Sequence, residues 1–186
     1  MQQKKSGRYY LFKSLTVLVA SAFLAAISIV LGKYLQIPLG NVLRFSFENT
    51  PIILAGMLFG APVGAAVGIV ADLVGCVLVG YEINPIVTLG AAVIGSLSGL
   101  VYYLMKRGKR GRVLSVTVSV TAAHLIGSVI IKTVGLSVFY AMPLHILMLW
   151  RLLNYIIVGA LEVLIISLLL KNRLFMKETE DILRKK

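Results

Sequence analysis

Lys106-Arg107-Gly108-Lys109-Arg110-Gly111-Arg112 divides two long apolar runs, Pro85 to Met105 before it and Val113 to Val134 after it. Short connections this rich in Lys and Arg stay on the cytoplasmic side of a membrane. Two other segments carry the same signature. Lys4, Lys5, Arg8 and Lys13 precede the first apolar run, and Lys171, Arg173, Lys177, Arg184, Lys185 and Lys186 follow the last one. Together these three segments hold fifteen of the 19 lysines and arginines. All three are assigned to the cytoplasm, which puts both termini inside.

Composition agrees with a membrane protein. Of 186 residues, 59% are hydrophobic and 14% charged, and the mean hydropathy is +0.93. A soluble domain carries about a quarter charged residues. The net charge of +12 would indicate nucleic acid in a soluble protein, but here its placement reads as topology and lipid anchoring. Cys76 is the one cysteine, so no internal disulfide forms and the redox compartment stays open. The first run, Ser14 to Leu31, follows a basic N-terminus as a signal peptide would. It is long for a cleaved segment and has further apolar runs behind it, so it reads as a retained first helix.

Parity fixes the remaining spans. The first helix runs outward to Gly32-Lys33, and Pro85 to Met105 returns inward, so the chain between them crosses an even number of times. Its apolar part, Pro51 to Val79, is interrupted at Gly60-Ala61-Pro62. As helix it reaches roughly 43 Å, too little for two full crossings of a core about 30 Å thick. The expectation is a hairpin of one short and one longer helix. The fifth span covers Val113 to Val134 and the sixth Leu144 to Leu170. The fold class is therefore all-α: residues 1–186 form a single transmembrane domain of six helices, N-in and C-in, with a short second helix. Gly56, Gly60, Gly64 and Gly68, and then Ala91, Gly95 and Gly99, recur every fourth residue, a pattern that lets membrane helices approach closely. Ala22 and Ala26 make a similar pair on the first helix. They form either an internal seam or a smooth face for another membrane subunit.

Lys33, Arg44, Lys132 and Arg151 remain at the outer ends of helices or in outer loops. Glu48, Asp72, Glu82 and Glu162 are the carboxylates outside the C-terminal tail. Ionisable groups within a membrane cost roughly 2.5–3.5 kcal/mol each, so each marks a candidate site. Asp72, one step past the glycine ladder, faces neighbouring helices and not lipid. Arg151 and Asn154 lie one turn apart, with Tyr155 at i+4 from Arg151. His124, Ser128 and Lys132 share a face of the fifth span. These groups point to a polar cavity in the outer half of the bundle. Competing structural roles are snorkelling for Lys33 and Lys132 and a mutual ion pair for Asp72 and Arg151. Glu162 stands about 16 Å along its helix from Arg151 and is expected toward the cytoplasmic half or a partner. Arg44, Ser46 and Glu48 alternate with Phe45 and Phe47, as in an extended lid over the cavity. Tyr81 and Asn84 flank the turn into the fourth long run, where Pro85 suits a first helical turn and Asn84 is either its cap or a ligand donor.

Catalytic signatures are missing. Gly108-Lys109 lacks a phosphate loop, His124 and His145 are isolated in sequence, and Ser96 and Ser98 are out of register for a nucleophile elbow. A binding protein or transporter is favoured over an intramembrane enzyme or an assembly factor. A paired Ser and His in the folded cavity would favour the enzyme.

Arg44 to Ile52 (Arg-Phe-Ser-Phe-Glu-Asn-Thr-Pro-Ile), Gly64 to Gly75 and Asn84 to Gly90 (Asn-Pro-Ile-Val-Thr-Leu-Gly) resemble the substrate-binding S components of energy-coupling factor (ECF) vitamin transporters, and within them the folate type. The resemblance implies a multi-pass protein of the bacterial cytoplasmic membrane. It implies a vitamin bound from outside, a cavity closed by the loop between the first two helices, and docking through Ala22 and Ala26 onto a transmembrane coupling subunit that carries two ATPases. No cofactor is implied. For folate, Asp72 would accept from the pterin 2-amino group and ring N–H, and Arg44, Lys132 and Arg151 would face the glutamate carboxylates. Phe45, Phe47, Tyr81, Tyr140, Trp150 and Tyr155 offer ring faces, while Ser46, Asn84 and Asn154 add polar contacts. Pantothenate, a pyrimidine precursor or a modified base remain alternative substrates.

Overall fold

The computed structural model describes residues 14–39, 43–108, 110–141 and 143–184. The Gly60 interruption divides the hairpin as expected, into α2 (Asn49–Phe59) and α3 (Ala61–Val79). Gly60 takes φ 95°, ψ 167°, outside the range of L-residues, and Pro62 starts the next helix. The left-handed Gly80 (φ 69°) ends α3, with the Tyr81 amide closing back on the Cys76 carbonyl. Asn84 then caps α4 (Pro85–Arg107), its side chain accepting from the amides of Ile86 and Val87.

α1 (Leu15–Ile29) finishes in a π-helical turn, Val30–Tyr34, and a short antiparallel pair follows, β1 (Ile37–Leu39) with β2 (Leu43–Phe45). This small hairpin is the extended segment expected before α2. The fifth span is longer than its apolar run implied. It comprises α5 (Arg112–Ala123), a nine-residue π segment (His124–Lys132) and α6 (Thr133–Tyr140). α7 (Leu144–Lys171) is the last long helix, and α8 (Arg173–Arg184) follows it. α8 was not foreseen, since its charged residues hide an amphipathic pattern. Asn172 caps it by accepting from the amides of Leu174 and Phe175, and Phe175, Met176 and Ile182 pack onto the core.

Among the described residues, five helices are long and apolar enough to cross a membrane, and α2 is a shorter apolar helix. α2 is the centre of the bundle, with ten of its eleven residues buried. The glycine ladders do what their spacing implied. A side chain on Gly56 would collide with Gly95 and Ser98, one on Gly64 with Gly95, and one on Gly68 with Ala91. Backbones of α2, α3 and α4 thus meet directly. This three-helix contact brings the inner faces of α2, α3 and α4 together beneath the loop that follows α1.

Candidate substrate site

Above that contact lies a nearly closed polar cleft, with about 10 Å³ of open space, lined by Ser28, Ile29, Lys33, Glu48, Ile52, Ala71, Asp72, Ala91 and Lys132. Its four charged side chains arrive from separate elements. Lys33 comes from the π turn after α1, Glu48 from the start of α2, Asp72 from α3, and Lys132 from the end of the π segment. Lys132 is 4% exposed, and its ammonium donates to Glu48 Oε1 at 3.2 Å. The ammonium groups of Lys132 and Lys33 both attract the Glu48 carboxylate. Asp72 Oδ2 accepts from the Thr88 hydroxyl at 2.6 Å.

Lys33 packs its stem over Gly75, and its ammonium stands 5.5 Å from the Tyr81 ring centroid. One structural role weighed for these residues is overturned. Asp72 and Arg151 do not pair: Arg151 donates to the Ser128 carbonyl at 2.9 Å, while Asp72 has Thr88.

Of the residues singled out by sequence, Asp72 and Lys132 line the cleft. Ser46 sits in the loop beside it, accepting from the Glu48 amide at 3.1 Å and donating to the Leu31 carbonyl at 3.4 Å. Phe45 is half-buried at the end of β2, and Arg44 pairs through its backbone with Pro38, its side chain lying outside the described residues. Asn84 is buried and engaged as a cap, with its Nδ2 donating to the Gly135 carbonyl. Tyr81 is exposed, and Trp150, at 51%, lies on the outer surface of the bundle. Arg151 and Asn154 are half-buried on α7. Ala22 and Ala26 are exposed on α1. Sequence reasoning left Lys33 and Glu48 as ionisable candidates without a role in the site, and missed Thr88. Glu48 stood in the quoted loop, and Thr88 one helical turn after the Asn84 cap.

Beside the cleft, a second polar cluster is fully enclosed. Glu162, with no exposed surface, is not turned to the cytoplasm or a partner as expected. Its carboxylate contacts His124 Nε2 and accepts from Thr50 Oγ1 at 2.9 Å. His124 Nδ1 meets Ser128 Oγ at 3.2 Å, and Tyr155 stacks on the imidazole at 4.5 Å. This is a Ser–His–Glu alignment of the kind used for nucleophilic catalysis. Ser128, His124 and Glu162 are all buried and none lines the cleft. The cluster ties α2, the π segment and α7 together.

The family model described as "ECF-type riboflavin transporter, S component" matches residues 12–174. The chain belongs to this family. It is thus an S component, a transporter subunit of the membrane and not an enzyme. No curated protein matches the sequence. Among solved structures, this S component is similar to FolT bound with folic acid, at 25% identity and TM-score 0.67, covering 82% of this chain and 90% of that one. It is also similar to the S component for biotin from an ECF-type ABC transporter, at 20% identity and TM-score 0.66, with 87% and 94% covered. A further S component of a bacterial ECF transporter gives 20% identity and TM-score 0.53, with 90% and 97% covered. The last two carry the fold alone.

Proposed function

We propose that this S component captures folate at the outer face of a bacterial cytoplasmic membrane and delivers it as the substrate-specific subunit of an ECF transporter. The observation that carries this reading is the juxtaposition of Asp72 with Lys33, Glu48 and Lys132 in one cleft. A pterin edge presents a 2-amino group beside a ring N–H, and a carboxylate accepts both. The glutamate tail brings two carboxylates, for which Lys132 and Lys33 supply buried or half-buried ammonium groups, with Arg44 and Arg151 as further candidates. The similarity to a folate-bound structure supports the same substrate.

Ligand sites for molecules of this size span about 300–1,000 Å³, far more than the cleft now holds, so folate enters by opening it. The segment Phe45–Glu48, which brings Glu48 to the cleft, acts as a lid. A tail carboxylate then replaces Glu48 as the partner of Lys132. Docking onto the coupling subunit with its two ATPases uses the exposed Ala22–Ala26 face of α1, and the whole chain works as one domain with both termini inside.

Riboflavin is the second reading, because the matching family model is described by it. Calorimetric titration of the purified protein with folate, riboflavin, biotin, thiamine and pantothenate separates the two. Calorimetry is preferred to Trp150 emission because that ring lies outside the cleft. Submicromolar binding of folate alone is expected. Binding of another vitamin instead would replace the substrate and keep the family. No binding by folded protein would remove the cleft as the site.

A further inference from the structure

We propose that Thr88 is a positioning residue that sets the substrate preference of the cleft by orienting Asp72; this rests on the folate reading above. The Thr88 hydroxyl stands 2.6 Å from Asp72 Oδ2 and 3.2 Å from the Asn84 carbonyl. A hydroxyl has one proton to donate. The Asn84 carbonyl already accepts from the Thr88 amide at 3.0 Å, so the shorter, charge-assisted contact to Asp72 takes the proton. This bond ties α4 to α3 and holds Oδ2 of Asp72 toward α4 at the cleft that Asp72 lines.

A carboxylate on a short side chain otherwise rotates freely about its last bond. With Thr88 in place, its plane is fixed before a ligand arrives. A fixed pair of acceptor oxygens selects for a ring edge with two adjacent donors, as in a 2-aminopyrimidinone. It discriminates against an edge that presents one donor or a donor beside a bare acceptor. Thr88 thus acts without touching the ligand. The helix pair does not depend on it for packing, since Gly64 against Gly95 and Gly68 against Ala91 already hold α3 on α4.

The test uses the full-length protein in detergent, calorimetry, and two ligands, folate and 2-desaminofolate. Thr88→Val preserves shape and removes the donor. Folate affinity is expected to fall roughly tenfold, affinity for 2-desaminofolate to change much less, and Thr88→Ser to restore the folate preference. If Thr88→Val does not purify, Thr88→Ala carries the same comparison. Equal loss for both ligands, or full folate affinity without the hydroxyl, overturns the positioning role. Wild-type protein that binds riboflavin in place of folate overturns the substrate reading and the edge selection together, because the riboflavin ring edge has one donor between two carbonyls. If neither vitamin binds folded wild-type protein, both proposals fall.

Discussion

The Lys132 ammonium and the Glu48 carboxylate meet 3.2 Å apart although 84 residues separate them in the chain. One ends the π segment and the other starts α2, so their pairing closes the cleft between the loop and the fifth span. In the proposed cycle an incoming carboxylate competes with Glu48 for Lys132. Lys132→Met is expected to weaken binding of a carboxylate-bearing vitamin by about 10- to 100-fold, since a desolvated charge partner is worth about 1.5–3 kcal/mol. Glu48→Gln frees the lysine and is expected to weaken binding less, or to tighten it. Calorimetry on both variants checks the order, and Glu48→Gln as the weaker binder would show that Glu48 holds the ligand itself.

Asp72 and Arg44 are the pair for which sequence and structure give unequal support. Asp72 lines the cleft with a defined partner, whereas Arg44 is placed only by its backbone in β2. Asp72→Ala and Arg44→Ala are each expected to reduce folate affinity at least about tenfold, the equivalent of about 1.4 kcal/mol. Unchanged affinity in a folded variant would remove that residue from the site.

Glu162 gives a stability prediction with no direct effect on the ligand. Its carboxylate satisfies Thr50 and His124 at once in a position without solvent. Glu162→Leu strands both partners and is expected to cost about 1–3 kcal/mol for each buried polar group left unsatisfied. Glu162→Gln keeps an acceptor for Thr50 and is expected to lose much less. Thermal unfolding in detergent distinguishes them, and equal midpoints would show that the cluster does not hold α2 to α7.

How far the sequence could be read follows from the range of each interaction. The hairpin break at Gly60, the Asn84 cap and the glycine ladders are local or periodic signals, and the folded chain shows all three where they were expected. The partner of Glu162 was not legible, because no spacing along the chain relates residue 162 to Thr50 or His124. The seat of Lys33 was not legible for the same reason, because its stem lies over Gly75 on another helix. α8 escaped notice because a hydropathy scan averages Phe175, Met176 and Ile182 with the charges between them.

Gly95 is the most crowded test of the ladder, because its missing side chain faces the Gly64 backbone directly. Gly95→Ala forces α3 and α4 apart and is expected to destabilise by about 1–3 kcal/mol, as overpacking does elsewhere. Gly108→Ala at the C-terminal end of α4 makes only ordinary contacts and serves as the control. Comparable thermal midpoints for the two variants would mean that the close approach is not what holds the bundle.

Helix α1 turns an unusual stripe outward. Leu15, Leu18, Val19, Phe23, Ile27 and Val30 are exposed, and Ala22 and Ala26 lie in the middle of that face. Large side chains suit lipid, whereas two alanines one turn apart make a shallow groove where another helix approaches closely. If that helix belongs to the coupling subunit, Ala22→Phe and Ala26→Phe fill the groove at a distance from the cleft. Vitamin affinity of the isolated chain is then expected to stay within about twofold, corresponding to roughly 0.4 kcal/mol, while uptake and copurification with the coupling subunit are lost. Copurification that survives both substitutions would move the docking face off α1. Loss of vitamin binding along with docking would mean that the two alanines support the bundle, and that the groove is an internal seam.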